Sequence, residues 1–135
     1  MNMLPLRLRP GDDLRRALEA AIAGRQLQAA FVLQGIGSLH DASLRLAGAD
    51  AATLVAGDSE ILTLAGSVAP GASHLHASLA DARGQVIGGH LPYGCRVRTT
   101  AEVLIALLPG WAFEREADAA TGYAELVVRR LDQPR

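Results

Sequence analysis

Alternating apolar and polar residues dominate the chain. Leu4, Leu6 and Leu8 alternate with Pro5, Arg7 and Arg9, which predicts a short half-buried strand, placed at a sheet edge because proline cannot donate to a ladder. Pro10 and Gly11 turn the chain, and Asp12 and Asp13 offer capping acceptors. Leu14, Ala17, Leu18, Ala21 and Ile22 recur at helical spacing, predicting one amphipathic helix over 13–23 that stops at Gly24. Residues 29–36 are apolar except for Gln34 and read as a buried strand, with close packing or a bend at Gly35 and Gly37. Leu44 and Leu46 flank Arg45 in what reads as a separate short strand, Gly57-Asp58 as a turn, and 60–68 as a further strand.

Beyond residue 94 a long strand is expected. Cys95, Val97, Thr99, Ala101, Val103, Ile105 and Leu107 share one face, and Arg96, Arg98, Thr100 and Glu102 the other. Leu104, Ala106 and Leu108 turn that second face apolar, so the strand is expected to end fully buried. Trp111, Phe113 and Arg115 alternate, and 123–131 read as a last strand. Many strands, one helix and no strand-helix alternation specify an α+β fold, a mainly antiparallel sheet packed with helix, and disfavour a doubly wound nucleotide fold.

The chemistry concentrates in one predicted hairpin. His74, His76 and Ser78 point one way and Leu75, Ala77 and Leu79 the other, and 85–89 return after the turn signal Asp81-Ala82-Arg83-Gly84. A two-residue loop would set Leu75 opposite His90, on the apolar side. A three-residue loop, with Gly84 left-handed and a G1 bulge, pairs Leu79 with Ile87, Ala77 with Gly89 and His76 with His90. The second register agrees with side-chain polarity and puts all three imidazoles on one face. Directly opposed Cβ atoms are about 4.5–5.5 Å apart, close enough for three rings to meet on one divalent ion.

Zinc is the first expectation and other first-row metals remain open, because imidazole selects poorly among them. The competing reading of the trio is hydrogen-bonded polar residues at an interface. A three-histidine site needs a further donor. Water would leave an open, catalytic type of site, whereas a carboxylate or a histidine from another subunit would close it. Glu102 is the first carboxylate candidate and also the candidate catalytic base; its alternative role is a salt bridge to Arg98 or Arg96. Glu60 is the second candidate, and Cys95 is a third that suits the core better. His40, beside Asp41, reads as a surface residue. Ser73 and Ser78 have no visible acid partner or nucleophile elbow for acyl transfer. The residues leave enzyme and binding module both open.

Composition narrows the classes. The 135 residues hold no linker-like break and read as one domain, 1–135. A 50% hydrophobic, 20% charged composition is rich for a monomer and suggests surface covered by other subunits. A net charge of -1 and 4% aromatic residues argue against a dedicated nucleic-acid binder. One cysteine, no signal-peptide pattern and no apolar run near 20 residues lead to the expectation of a cytoplasmic protein without a membrane span.

Taken together, Arg9-Pro10-Gly11-Asp12-Asp13-Leu14, Gly35-Ile36-Gly37-Ser38, 60–66, His74-Leu75-His76, 84–90, Gly94-Cys95 and Thr100-Ala101-Glu102-Val103 resemble the PPC domain, the plants and prokaryotes conserved domain. The resemblance runs from about Leu6 to Leu108. It implies a sandwich-like α/β domain that assembles as a homotrimer, with His74, His76 and His90 matching a metal site of the prokaryotic branch. Plant members accompany AT-hook motifs, and free-standing prokaryotic members have been labelled DNA-binding. The Arg-Gly-Arg-Pro hook is absent from this sequence, so the DNA role transfers poorly. The resulting expectation is a trimeric regulatory or ligand-binding module with a three-histidine metal site, taking a small molecule near the metal; the alternative is a zinc-dependent hydrolase or lyase.

Overall fold

The structure, a computed structural model, describes residues 2–132. Eight strands and one helix follow in the order β1 (Met3–Leu8), α1 (Leu14–Ala23), β2 (Ala30–Leu44), β3 (Thr53–Val68), β4 (His74–Asp81), β5 (Val86–His90), β6 (Arg96–Leu107), β7 (Trp111–Ala117) and β8 (Ala124–Arg130). Six strands form one antiparallel sheet in the order β1-β6-β2-β3-β4-β5, and β7 and β8 form a separate hairpin. The expected α+β class and the edge position of the proline-containing first strand are both observed.

The helix begins where the acidic residues sit. Asp13 is its N-cap, and its buried carboxylate accepts from the backbone N–H of Arg16 at 3.1 Å and of Gly94 at 2.7 Å. Leu14, Leu18 and Ile22 are fully buried and join inward-facing Val32, Leu39, Leu64, Leu75, Leu79, Val97, Val103 and Ile105 in one core. Each such side chain contributes roughly 1.5–3 kcal/mol of burial. Gly24 caps the helix in a right-handed conformation, and Gln26 takes the left-handed one instead (φ 59°). Asp13→Ala is expected to cost about 1–3 kcal/mol in urea unfolding, because it removes the cap and strands two N–H groups; Asp13→Asn should cost less.

Three expectations are corrected. Leu44 ends the long strand β2 rather than opening a new one, and β3 runs through Gly57-Asp58 without turning. The apparent turn residues serve a bulge: the β2–β3 register shifts between His40 and Ala42, Asp41 is left-handed (φ 47°), and its carboxylate accepts from the Gly57 N–H at 2.7 Å. Leu104 is 39% exposed, so the second face of β6 is apolar but open within one chain.

At that bulge exposed His40 bonds Asp58 at 2.7 Å and lies 3.3 Å from Asp41. The Asp58 hydrogen bond, with the Asp41 charge, raises its pKa above 6.5. A raised folded-state pKa contributes stability below the unfolded value and loses it as pH rises through the folded one. The stability gap between wild type and His40→Asn should therefore be widest near pH 6 and close by pH 9; a gap that widens with pH would contradict this pairing.

Candidate metal centre

The hairpin carrying the histidines has the G1-bulge register. His76 pairs with His90, Ala77 with Gly89 and Leu79 with Ile87. Asp81 and Gln85 close the loop, Asp81 N–H donating to the Gln85 carbonyl at 2.9 Å, and Gly84 takes φ +81°. Leu75, Ala77 and Leu79 are buried beneath the sheet, which turns His74 and His76 to its outer face. His90 is fixed further by the end of β2: Arg45 and His90 exchange both backbone hydrogen bonds, at 2.9 and 3.0 Å. The edge strand thus returns onto β2, and bare Gly89 leaves room for the Arg45 carbonyl.

The three rings converge. Their centroids are 4.8, 5.3 and 6.0 Å apart, and one nitrogen of each lies within 4.8 Å of the others. The Nε2 atoms of His74 and His76 are 3.0 Å apart. With metal–nitrogen bonds of about 2.0–2.1 Å, that separation subtends an angle of roughly 90–100° at a shared ion, within the range of ordinary coordination geometries. His90 Nδ1 is buried without a hydrogen-bond partner, and bonding to a cation is one way to satisfy it. Burial, with His76 and Arg115 behind it, lowers the pKa of His74. Burial, with His74, Arg45 and Arg15, pushes His90 down to about 4. Both rings are thus held neutral near pH 7, the form that donates to a metal. The cluster is capable of coordinating a divalent ion.

The other candidates lie elsewhere. Glu102 is exposed on β6, opposite Arg7 of β1 and Ile36 of β2. Strands β2 and β3 separate it from β4, about 14 Å at ordinary strand spacing, so it does not join the histidines within one chain. Glu60 is exposed on β3 opposite Ala80 and is also outside the cluster. Cys95 is fully buried and donates to the Ser43 carbonyl, and burial raises its pKa; it is core. Ser73 is bonded to the Ala69 backbone and Ser78 to Thr63.

Sequence reading missed the surroundings of the cluster. Arg15, Arg45, Arg115 and Glu125 line an open cleft of about 580 Å³ together with His74 and His90. Arg115 belongs to β7 and is anchored by the Ser67 hydroxyl at 3.2 Å and the Ala72 carbonyl at 3.4 Å. No pattern could have announced this, since the residues come from four separate segments.

Comparison with known proteins shows the family and the fold. The chain is 48% identical over 129 residues to the bifunctional protein GlmU of Synechococcus sp. (strain JA-2-3B'a(2-13)), an alignment covering 96% of the chain but 20% of that protein. The chain thus spans about a fifth of the length of the curated relatives it matches. A solved structure from Salmonella cholerae-suis superposes with a TM-score of 0.90 at 39% identity, covering 96% of this chain and 94% of that one. A metal-containing protein of Archaeoglobus fulgidus superposes with a TM-score of 0.81 at 29% identity, with 94% of each chain covered. Residues 1–109 match the Plants and Prokaryotes Conserved domain, and the chain belongs to that family.

Proposed function

We propose that this chain is a homotrimeric module that holds one divalent first-row metal, zinc foremost, on His74, His76 and His90, and binds a small ligand beside it. The observation that carries the reading is the convergence of three imidazole nitrogens within 4.8 Å on one hairpin face. When bound, the ion would supply Lewis acidity and a coordination position for a non-protein donor. The metal-containing relative from Archaeoglobus supports the same reading.

Trimerisation is supported by the outer sheet face. Phe31, Leu33, Ile36, Leu62 and Leu104 stand on the side turned away from the core and are 38–50% exposed. Copies of this chain covering that face would account for the high hydrophobic content. The alternative, a zinc-dependent hydrolase or lyase, is favoured by the cleft alongside the histidines. Glu102 would have to serve it from a neighbouring copy, since it stands on the apolar outer face. A DNA role has less support. Arg98 pairs with Asp58 at 3.0 Å and Arg129 with Glu114 at 2.8 Å, so two of the basic residues already face a carboxylate. Among the described residues no helix is long and apolar enough to cross a membrane.

Elemental analysis of untagged protein, combined with sedimentation equilibrium, tests the proposal. One metal per chain and three times the chain mass are expected. Negligible metal after dialysis against micromolar zinc would overturn the metal site, and a monomer mass would overturn the assembly.

A further inference from the structure

We propose that the cleft beside the histidines is a binding site for a small oxyanion, a carboxylate or phosphate group presented by a small molecule. The inference rests on the reading of the histidines as a metal site and names the class of ligand that would share it.

Charge carries the argument. Arg15, Arg45 and Arg115 line the cleft against one carboxylate, Glu125. The positive side is also poorly neutralised. Arg45 donates to the Ala49 carbonyl, and Arg115 to the Ala72 carbonyl and the Ser67 hydroxyl. Those partners occupy N–H groups without cancelling charge, and a guanidinium has five N–H donors, so each retains several for a ligand. Arg15 is more committed: it bonds Glu19 at 3.4 Å and lies 4.1 Å over the Tyr93 ring. Glu19 in turn accepts from the Tyr93 hydroxyl at 2.8 and 2.9 Å, which divides its charge between two donors.

The arginines are also held in place before any ligand arrives. The Arg45 backbone is fixed beside His90 by two hydrogen bonds, and its side chain donates to the Ala49 carbonyl at 3.4 Å. Arg115 is tied to the β3 end and to the loop before β4. The forked donors of a guanidinium suit the planar or tetrahedral oxygens of a carboxylate or phosphate. The cleft, about 580 Å³, has the size of a small-molecule site. His74 and His90 form part of its lining, and three protein ligands leave a metal at least one position for an oxygen donor. An anion here would meet arginine on one side and the ion on the other.

Calorimetric titration of inorganic phosphate and of malonate into the full-length protein tests this, with zinc content measured on each sample. Both anions are expected to bind the zinc-loaded protein, and neutral malonamide is not. Arg45→Gln and Arg115→Gln should each weaken binding roughly ten- to hundredfold at unchanged zinc content. Arg115→Lys should retain more affinity than Arg115→Gln, which separates lost charge from a damaged fold. Arg98→Gln, away from the cleft, should bind as wild type. The stronger of the two anions identifies phosphate or carboxylate as the preferred group. Full zinc content with no anion binding, or binding indifferent to Arg45 and Arg115, overturns the oxyanion site and leaves the metal site standing. Arginine-dependent phosphate binding by protein that takes up no zinc would sustain the anion site and overturn the metal reading. Absence of both zinc and anion overturns both.

Discussion

Gly66→Ala is expected to be, with Gly37→Ala, among the most damaging glycine-to-alanine changes in the described chain, lowering stability by about 3–5 kcal/mol or preventing folding. Gly66 lies in β3 opposite Leu75 with φ +146°, a conformation that L side chains rarely adopt. A Cβ there would overlap the carbonyl oxygen of His74 and come within 2.8 Å of the Leu75 Cα. Both obstacles are backbone, fixed by the β3–β4 ladder, so neither can rotate aside. Backbone strain of about 1–3 kcal/mol adds to the overlap, against a total stability of about 5–15 kcal/mol for a domain. Gly71→Ala provides the comparison. That glycine is also at positive φ (+68°), but nothing stands within 4 Å of its added Cβ, and the expected cost is about 1–2 kcal/mol. Urea unfolding of the two variants should separate them clearly. Equal losses would mean that β3 does not pack against His74 as closely as described.

The metal hairpin could be read from sequence because three local rules agree on it. Gly84 selects the three-residue loop, the loop fixes the register, and only that register keeps His90 off the face of Leu75, Ala77 and Leu79. At the β2–β3 pair local rules point the wrong way. Asp41, Gly57 and Asp58 have turn chemistry, yet they serve a bulge inside two long paired strands, where ladder hydrogen bonds outweigh local preference. Glu102 was drawn toward the histidines by its polarity on an apolar strand. Its actual position follows from strand order, which places β2 and β3 in between and which alternation alone does not encode. The arginine-lined cleft was invisible for the same reason. Arg15, Arg45 and Arg115 are ordinary surface arginines in sequence, and only the return of β5 onto β2 and the packing of the β7–β8 hairpin gather them.

His76→Ala should leave the metal-free protein almost unchanged while removing its response to zinc. His76 is exposed, and its side chain contacts only the other imidazoles among the hydrogen bonds and ring contacts of the described residues. Truncation should therefore shift metal-free stability by no more than about 0.5 kcal/mol. Metal affinity is a different matter. Removing a residue that merely orients a ligand costs 10–100-fold in affinity, so removing one of three direct ligands should cost at least about 100-fold. Zinc that binds only the folded state stabilises it by RT ln(1 + [L]/Kd). At a free zinc concentration 100 times the wild-type Kd the wild type gains about 2.7 kcal/mol, and a variant with 100-fold weaker binding about 0.4 kcal/mol. For a chain of this length the wild-type gain corresponds to a rise in Tm of roughly 8–10 °C and the variant's to about 1 °C. Thermal unfolding at fixed protein concentration, with and without zinc, measures both. A variant that keeps the wild-type zinc shift would remove His76 from the site, and with it the geometric basis for a three-histidine centre. A variant that is already destabilised without metal would instead assign His76 a structural role, which its exposure on the outer sheet face gives no reason to expect.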